Sequence, residues 1–182
     1  MHMKKAILGF LLAIAAAPAW AEVTDVAPNG FTTVNEVIVE ATPVHAWTAA
    51  ISVGEWWSSD HTISGDARRM SIEPVTQGCF CESLGDTAGV VHLVVTSVMP
   101  ATMLRLTGGL GPLGLMGVDG NMTWDFEATD GGTRVRFTYA VGGYMKGGLE
   151  QMAGPVDFVL GEALGRLKNY IETGTPESAP VE

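Results

Sequence analysis

The sequence predicts an α+β domain in which one long C-terminal helix lies beside an antiparallel sheet. Two observations carry this. Val156, Val159, Leu160, Ala163, Leu164, Leu167, Tyr170 and Ile171 recur at spacings of three and four, an apolar stripe on one face of a helix over residues 155–172. Eighteen helical residues make a rod of about 27 Å. Residues 31–143 read instead as short alternating runs punctuated by Gly, Pro and Asp, and consecutive hairpins without intervening helices form an antiparallel sheet. A sheet of that kind beside a single long helix is expected to curve around it.

Taken in order, residues 1–21 read as a signal peptide. Lys4 and Lys5 form a positive start, residues 6–17 are apolar apart from Gly9, and Ala19-Trp20-Ala21 fits the small-x-small rule, with cleavage before Glu22. The apolar run of about twelve residues falls short of the roughly twenty that span a bilayer. The expectation is a periplasmic or secreted protein with no stable membrane span after cleavage. The residue directly after the cleavage site is Glu22 and not a Cys, which argues against a lipoprotein.

Cleavage would leave 161 of the 182 residues, one domain's worth, with eight Lys and Arg against 20 Asp and Glu, so that the formal charge moves from −10 to −12. Such a surface repels phosphate backbones, and no basic run offsets it, so nucleic acid is excluded as a partner. Cys79 and Cys81 are the two cysteines. On a regular strand their Cα atoms would stand roughly 6.5–7 Å apart, at the edge of disulfide geometry, and a bridge requires a kink. Packed thiols, a strained or redox-active disulfide and, last, a metal pair remain open.

Residues 22–30 lack periodicity, contain the turn signal Pro28-Asn29-Gly30 and read as a flexible leader. Residues 31–41 alternate as a strand, with Val37, Val39 and Ala41 on one face and Glu36, Ile38 and Glu40 on the other. Thr42 as N-cap and Pro43 at the first helical position open a helix to about Ser52 that buries Val44, Trp47, Ala50 and Ile51. Gly54 ends it, and Trp56-Trp57 follow in a turn.

Residues 68–73, 78–84, 90–98 and 103–107 are strands separated by Pro74, Gly85-Asp86 and Pro100. Met122, Trp124 and Phe126 alternate with polar residues, as do Val135, Phe137, Tyr139 and Val141, and Asp130-Gly131-Gly132 joins the two strands as a hairpin. Residues 108–120 hold six glycines among Leu110, Leu113, Leu115 and Met116. They form either a flexible cover over an apolar opening or a loosely packed connection. Pro155 marks the secure helix start, and residues 175–182 read as a disordered tail.

In their order and in their residues these elements resemble the START-like, or SRPBCC, superfamily, particularly its polyketide-cyclase-like and Hsp90-ATPase-activator-homologue-like branch, here as an exported member. The resemblance rests on VIVEATPVHAWTAAISVGEWW at residues 37–57, on Gly78, Phe80 and Glu82 in a Gly-x-Phe-x-Glu stretch, and on GRLKNYIETG at residues 165–174. It covers residues 33–174 and implies a helix-grip architecture over residues 31–174, in which a seven-stranded antiparallel sheet wraps the long helix and leaves an apolar cavity between them. Members bind lipids, sterols or polyketides, catalyse cyclisation or dehydration, or assist chaperones.

His92, within VVHLVV, and Glu82 are the candidate acid-base residues of such a cavity. Arg105 offers a planar fork for a carboxylate. Trp56, Trp57, Met122, Trp124, Phe137, Tyr139, Val156, Leu160 and Leu164 are the candidate apolar lining. Asp60 and His61 fall in a loop after the tryptophans, and His45 lies on the first helix. No G-x-S-x-G, H-E-x-x-H or P-loop signature occurs, nor a G-x-G-x-x-G in its strand and acid context, so no cofactor and no metal are expected. The function expected is an exported protein holding a small hydrophobic ligand of lipid, polyketide or aromatic type. The alternative is a cyclase-, dehydratase- or hydrolase-like enzyme in the same cavity, and the third reading is a chaperone-type interaction module.

Overall fold

A computed structural model describes residues 20–177. The first 19 residues, which make up nearly all of the expected signal peptide, and the tail beyond residue 177 lie outside the described residues. The chain runs β1 (Trp20–Ala27), β2 (Gly30–Val39), α1 (Pro43–Ile51), β3 (Met70–Ile72), β4 (Cys79–Ser83), β5 (Gly89–Met99), β6 (Met103–Thr107), β7 (Gly117–Thr129), β8 (Gly132–Tyr144) and α2 (Glu150–Thr173). One antiparallel sheet of eight strands in the order β1-β2-β8-β7-β6-β5-β4-β3 packs its inner face against α2. The helix-grip arrangement is present.

The eighth strand is the part that the sequence did not display. Residues 22–27, read as a flexible leader, belong to β1, which pairs with β2 from Trp20↔Glu36 to Ala27↔Gly30. Its two acids, Glu22 and Asp25, and its irregular register between Val23 and Asp25 suit a sheet edge, where charge and bulges discourage further pairing. Phe31, Val37 and Val39 of β2 are buried while Ile38 is exposed, as alternation demands. In α1 the Thr42 hydroxyl accepts the His45 N–H at 3.3 Å, which makes Thr42 the cap. Val44, expected inside, is 66% exposed, because α1 turns Ala46, Trp47, Ala49 and Ala50 to the core instead.

Helix α2 begins five residues before Pro155. A proline there forfeits the hydrogen bond to the Gln151 carbonyl and crowds it, but Gln151 is exposed in the first turn, where water can satisfy that carbonyl, so the helix continues through it. Leu160, Ala163, Leu164, Leu167 and Ile171 are buried along the predicted stripe, and Gly174 in the left-handed conformation closes the helix. Polar ties fix the helix across the sheet: Asn35 Nδ2 to Asp157 Oδ1 at 3.1 Å, Lys168 Nζ to the Ile38 carbonyl at 2.7 Å, and Arg166 Nε to the Trp56 carbonyl at 2.9 Å. Each contributes about 0.5–1.5 kcal/mol. Together they hold α2 in one register over the strands.

Beneath the helix lies an aromatic core. Trp124 stacks on Phe137 with ring centroids 4.4 Å apart, and Trp56 packs against both. The Trp56 indole N–H is satisfied by the Ala49 and Ala50 carbonyls at 3.1 and 3.2 Å. On the outer face of β4, Cys79 and Cys81 form a disulfide across a Cα separation of 5.4 Å. That is shorter than a regular strand permits, and the β4–β5 register shifts between Phe80 and Cys81. The kink that a bridge requires is therefore present, and the packed-thiol and metal readings are set aside.

Candidate functional site

The same register shift builds the site. Phe80 pairs with Leu93 and Cys81 with Val91, so His92 is the extra residue of a bulge in β5. Alternation would send one of two neighbours outward, yet His92 and Leu93 are both buried. The bulge turns the imidazole inward, where its ring meets the Phe80 ring edge-on at 5.9 Å. Gly108 presses on the bulge from the other side: its φ is +140°, and a Cβ there would stand 2.8 Å from the His92 carbonyl oxygen.

Glu82, inward-facing on β4, receives His92 Nε2 at 3.0 Å, with 3% of the His92 and 0% of the Glu82 side chain exposed. The carboxylate also accepts the Ile63 N–H at 3.0 Å and the Ser64 N–H. Burial pushes this carboxyl up, but the hydrogen bonds from Ser64, Ile63 and His92 outweigh it and hold the group down at about 2. An ionised carboxylate only accepts, so the shared proton sits on His92 Nε2. Nδ1 is buried and has no hydrogen-bond partner among the described residues.

His92 forms part of the wall of a cavity of about 530 Å³. Met152, Pro155, Val156 and Val159 of α2 supply one side, Trp57 and residues 60–63 another, and Met70, Val90 and Val91 the sheet side. Residues 109–115 of the glycine-rich loop close the remainder, so this loop is a cover and not a loose connection. Leu113 is buried beneath it, whereas Leu115 is 91% exposed at the rim beside exposed Ile63 and Val91. Tyr139 pins the loop by donating to the Gly108 carbonyl at 2.7 Å and accepting the Leu110 N–H at 3.0 Å.

A second His-carboxylate pair spans the mouth. His61 Nε2 lies 3.0 Å from Glu162 Oε2, joining the segment after α1 to α2, and the His61 carbonyl accepts the Trp57 indole N–H at 3.1 Å. Asp60 and His61, placed by the sequence in a loop after the tryptophans, line the cavity, with Asp60 exposed and His61 half-buried. The wall carries no lysine or arginine. No cluster of three or more His, Cys, Asp or Glu able to hold a metal occurs among the described residues.

Of the apolar candidates, Trp57 and Val156 line the cavity. Trp56, Met122, Trp124, Phe137, Tyr139, Leu160 and Leu164 are buried in the core and absent from the wall. They face the same way as a lining residue would, but neighbouring side chains fill the space in front of them. Arg105 is exposed on the outer face of β6 and points away from the cavity. His45 is exposed on α1. The wall residues that sequence reasoning missed are Ile63, Met70, Val90, Val91 and Met152, which carry no signal beyond being apolar.

The chain matches no protein-family profile and no curated protein. Solved structures share its fold. A conserved protein of unknown function from Enterococcus faecalis, EF2215, has a TM-score of 0.57 at 15% identity, covering 89% of this chain and 80% of its own. The Aha1 dimer from Colwellia psychrerythraea gives 0.54 at 16%, covering 79% and 97%. CalU16 from Micromonospora echinospora gives 0.51 at 16%, covering 86% and 87%. Likeness at these identities concerns the fold.

Proposed function

We propose that this chain, whose fold is the helix-grip fold of the START-like superfamily, is an exported protein that holds a small hydrophobic molecule between α2, the sheet and the glycine-rich loop. The observation that carries the reading is the cavity itself: about 530 Å³, within the usual size of small-molecule sites, and walled mainly by apolar side chains. Burial of about 200 Å² of apolar ligand surface there would contribute roughly 5 kcal/mol before the cost of immobilising the ligand. Exposed Ile63, Val91 and Leu115 around the rim give such a molecule an apolar approach. An interaction module would not need the interior space.

Export is supported by the Lys4-Lys5 start, the apolar run and Ala19-Trp20-Ala21. A disulfide between Cys79 and Cys81 fits an oxidising compartment. Native mass spectrometry of the mature protein purified from its own periplasm, followed by organic extraction, tests both parts. A mass beginning at Glu22 and a discrete hydrophobic adduct near one-to-one are expected. An uncleaved chain would overturn export. A bare mass that stays bare after exposure to a periplasmic lipid extract would overturn binding.

A further inference from the structure

Apart from Trp57 and His92, the polar side chains of the cavity wall lie together in residues 60–62, at the mouth. The donors along this arc are already committed. The Thr62 hydroxyl donates to the Ser59 carbonyl at 2.8 Å, the Trp57 indole N–H to the His61 carbonyl at 3.1 Å, and His61 Nε2 faces the Glu162 carboxylate at 3.0 Å. The backbone N–H groups of His61, Thr62 and Ile63 are taken by the Ser58 and Ser59 carbonyls and by Glu82. His92 donates its Nε2–H to Glu82, and its Nδ1 is buried away from the cavity.

The acceptors are not committed. Asp60 is exposed, and its carboxylate has neither a hydrogen bond nor an ion pair among the described residues. Thr62 Oγ1 keeps its lone pairs, and Nδ1 of a neutral His61 ring can only accept. No lysine or arginine belongs to the wall. Arg68, on the turn that Ser59 Oγ holds through the Ala67 N–H, is engaged by Asp66 at 2.8 Å, and its neighbour Arg69 is not a wall residue. An arc that accepts and does not donate selects a ligand that donates. A carboxylate or phosphate would lie beside Asp60 with nothing to bond it.

We propose that the bound molecule is a hydrophobic amine, whose apolar body lies among Met70, Leu113, Met152, Val156 and Val159 and whose ammonium group rests on the Asp60 carboxylate at the mouth. This names the ligand class for the cavity reading above and rests on it. An ammonium offers three donors and no acceptor, the complement of Asp60, Thr62 Oγ1 and His61 Nδ1. Because Asp60 is exposed, the charged head keeps part of its water and avoids the cost of burying an ion. The formal charge of −10 also draws cations towards the protein. A phospholipid amine fits less well, since its phosphate brings an anion that the wall cannot pair.

Equilibrium dialysis of the purified protein at low salt and about pH 8, where free imidazole is neutral and an alkylamine is charged, tests this with decylamine, decan-1-ol and decanoate. The three share one apolar body under a cationic, a neutral and an anionic head. Decylamine should bind about tenfold tighter than decanol, and decanoate more weakly than decanol. Asp60→Asn should bring decylamine down to the level of decanol while changing decanol by less than about twofold. Asp60→Lys should reverse the order in favour of decanoate, which a merely loosened segment could not do. Asp130→Asn removes the same charge from an exposed turn outside the wall and should leave the order intact.

Decanol or decanoate binding as tightly as decylamine would overturn the amine assignment and leave the cavity reading standing. Equal losses in Asp60→Asn and Asp130→Asn would do the same, because the preference would then belong to the overall charge of the chain. Val156→Trp, which fills the cavity, should weaken all three ligands. Decylamine binding untouched by that substitution, or no binding of any of the three, would overturn the cavity reading and the amine assignment together.

Discussion

The phenol of Tyr139 donates to the carbonyl of Gly108 at 2.7 Å, and the phenol oxygen in turn accepts the Leu110 N–H at 3.0 Å. A single side chain on β8 therefore closes the base of the loop that covers the cavity. Tyr139→Phe leaves a carbonyl and an N–H without partners and should cost about 1–3 kcal/mol in chemical denaturation. Amide exchange at Leu110 should accelerate more than exchange in β7 or β8. Equal acceleration everywhere would mean that the phenol supports the sheet and not the loop.

Burial pushes the Tyr139 phenol up to about 12 from 10.0, against the pull of the Leu110 N–H and with a smaller push from Asp119. The unfolded phenol ionises near 10 while the folded one keeps its proton, so the associated stability is complete below pH 10 and is lost as pH climbs to about 12. Ultraviolet titration should show one tyrosine ionising about two pH units late, and Tyr139→Phe should remove that step. A titration without a late step would contradict the buried, loop-bound phenol.

Glu82 has the opposite sign. Its carboxyl is held at about 2 against 4.5 when free, because the hydrogen bonds of Ser64, Ile63 and His92 overcome the burial that would raise it. The unfolded chain takes up this proton near pH 4.5 and the folded chain resists it, so the stabilisation is full above 4.5 and falls away as pH drops towards 2. The amount is on the order of 3 kcal/mol. Urea unfolding at pH 7 and pH 3 should show a smaller difference for Glu82→Gln than for the wild type. An equal difference would place the acid sensitivity elsewhere.

The parts of this arrangement that were legible in the sequence are those encoded by local periodicity. The α2 stripe from Leu160 to Ile171 and the alternation of Val37 and Val39, or of Phe137 and Tyr139, report a face, and the face is correct. Periodicity does not report what lies opposite that face. Trp124 and Trp57 are both inward apolar residues, yet one is stacked on Phe137 and the other lines a space. The bulge was invisible for a related reason: in VVHLVV nothing local selects His92 as the extra residue, because the shift is set by pairing with Phe80 and Cys81 on β4. The turn of α2 before Pro155 carried no firm signal because a proline forfeits one helical hydrogen bond and crowds the carbonyl four residues back, and only the structure shows that this carbonyl, on Gln151, lies in an exposed turn where the loss is tolerated.

The disulfide should matter little to stability. Cys79 and Cys81 are two residues apart, so their bridge restricts only a very short loop of the unfolded chain, about 1–2 kcal/mol in the chain-entropy account. Thiol alkylation of the purified protein should fail until a reductant is added, and Cys79→Ser with Cys81→Ser should lose no more than that amount. Both side chains lie on the face of β4 opposite to Phe80, so uptake of an apolar fluorescent probe by the double variant should match the wild type. Loss of uptake would show that the bridge maintains the bulge that carries His92.

Two substitutions on α2 separate cavity from core. Val156 is half-buried on the cavity wall, whereas Leu160, one turn further on, is 1% exposed in the packed stripe. Val156→Trp places its added ring in open volume, so stability should change by less than about 1 kcal/mol. Leu160→Trp forces the same ring into filled space and should cost about 1–3 kcal/mol. Binding should follow the reverse order: Val156→Trp occupies the room a ligand needs and should weaken uptake of an apolar fluorescent probe by at least tenfold, while Leu160→Trp, where still folded, should retain most of it. Wild-type uptake by Val156→Trp would show that the hydrophobic molecule binds somewhere other than beneath the glycine-rich loop, because no packed neighbour of Val156 can move aside to restore the lost volume without a stability cost that the same denaturation curve would reveal.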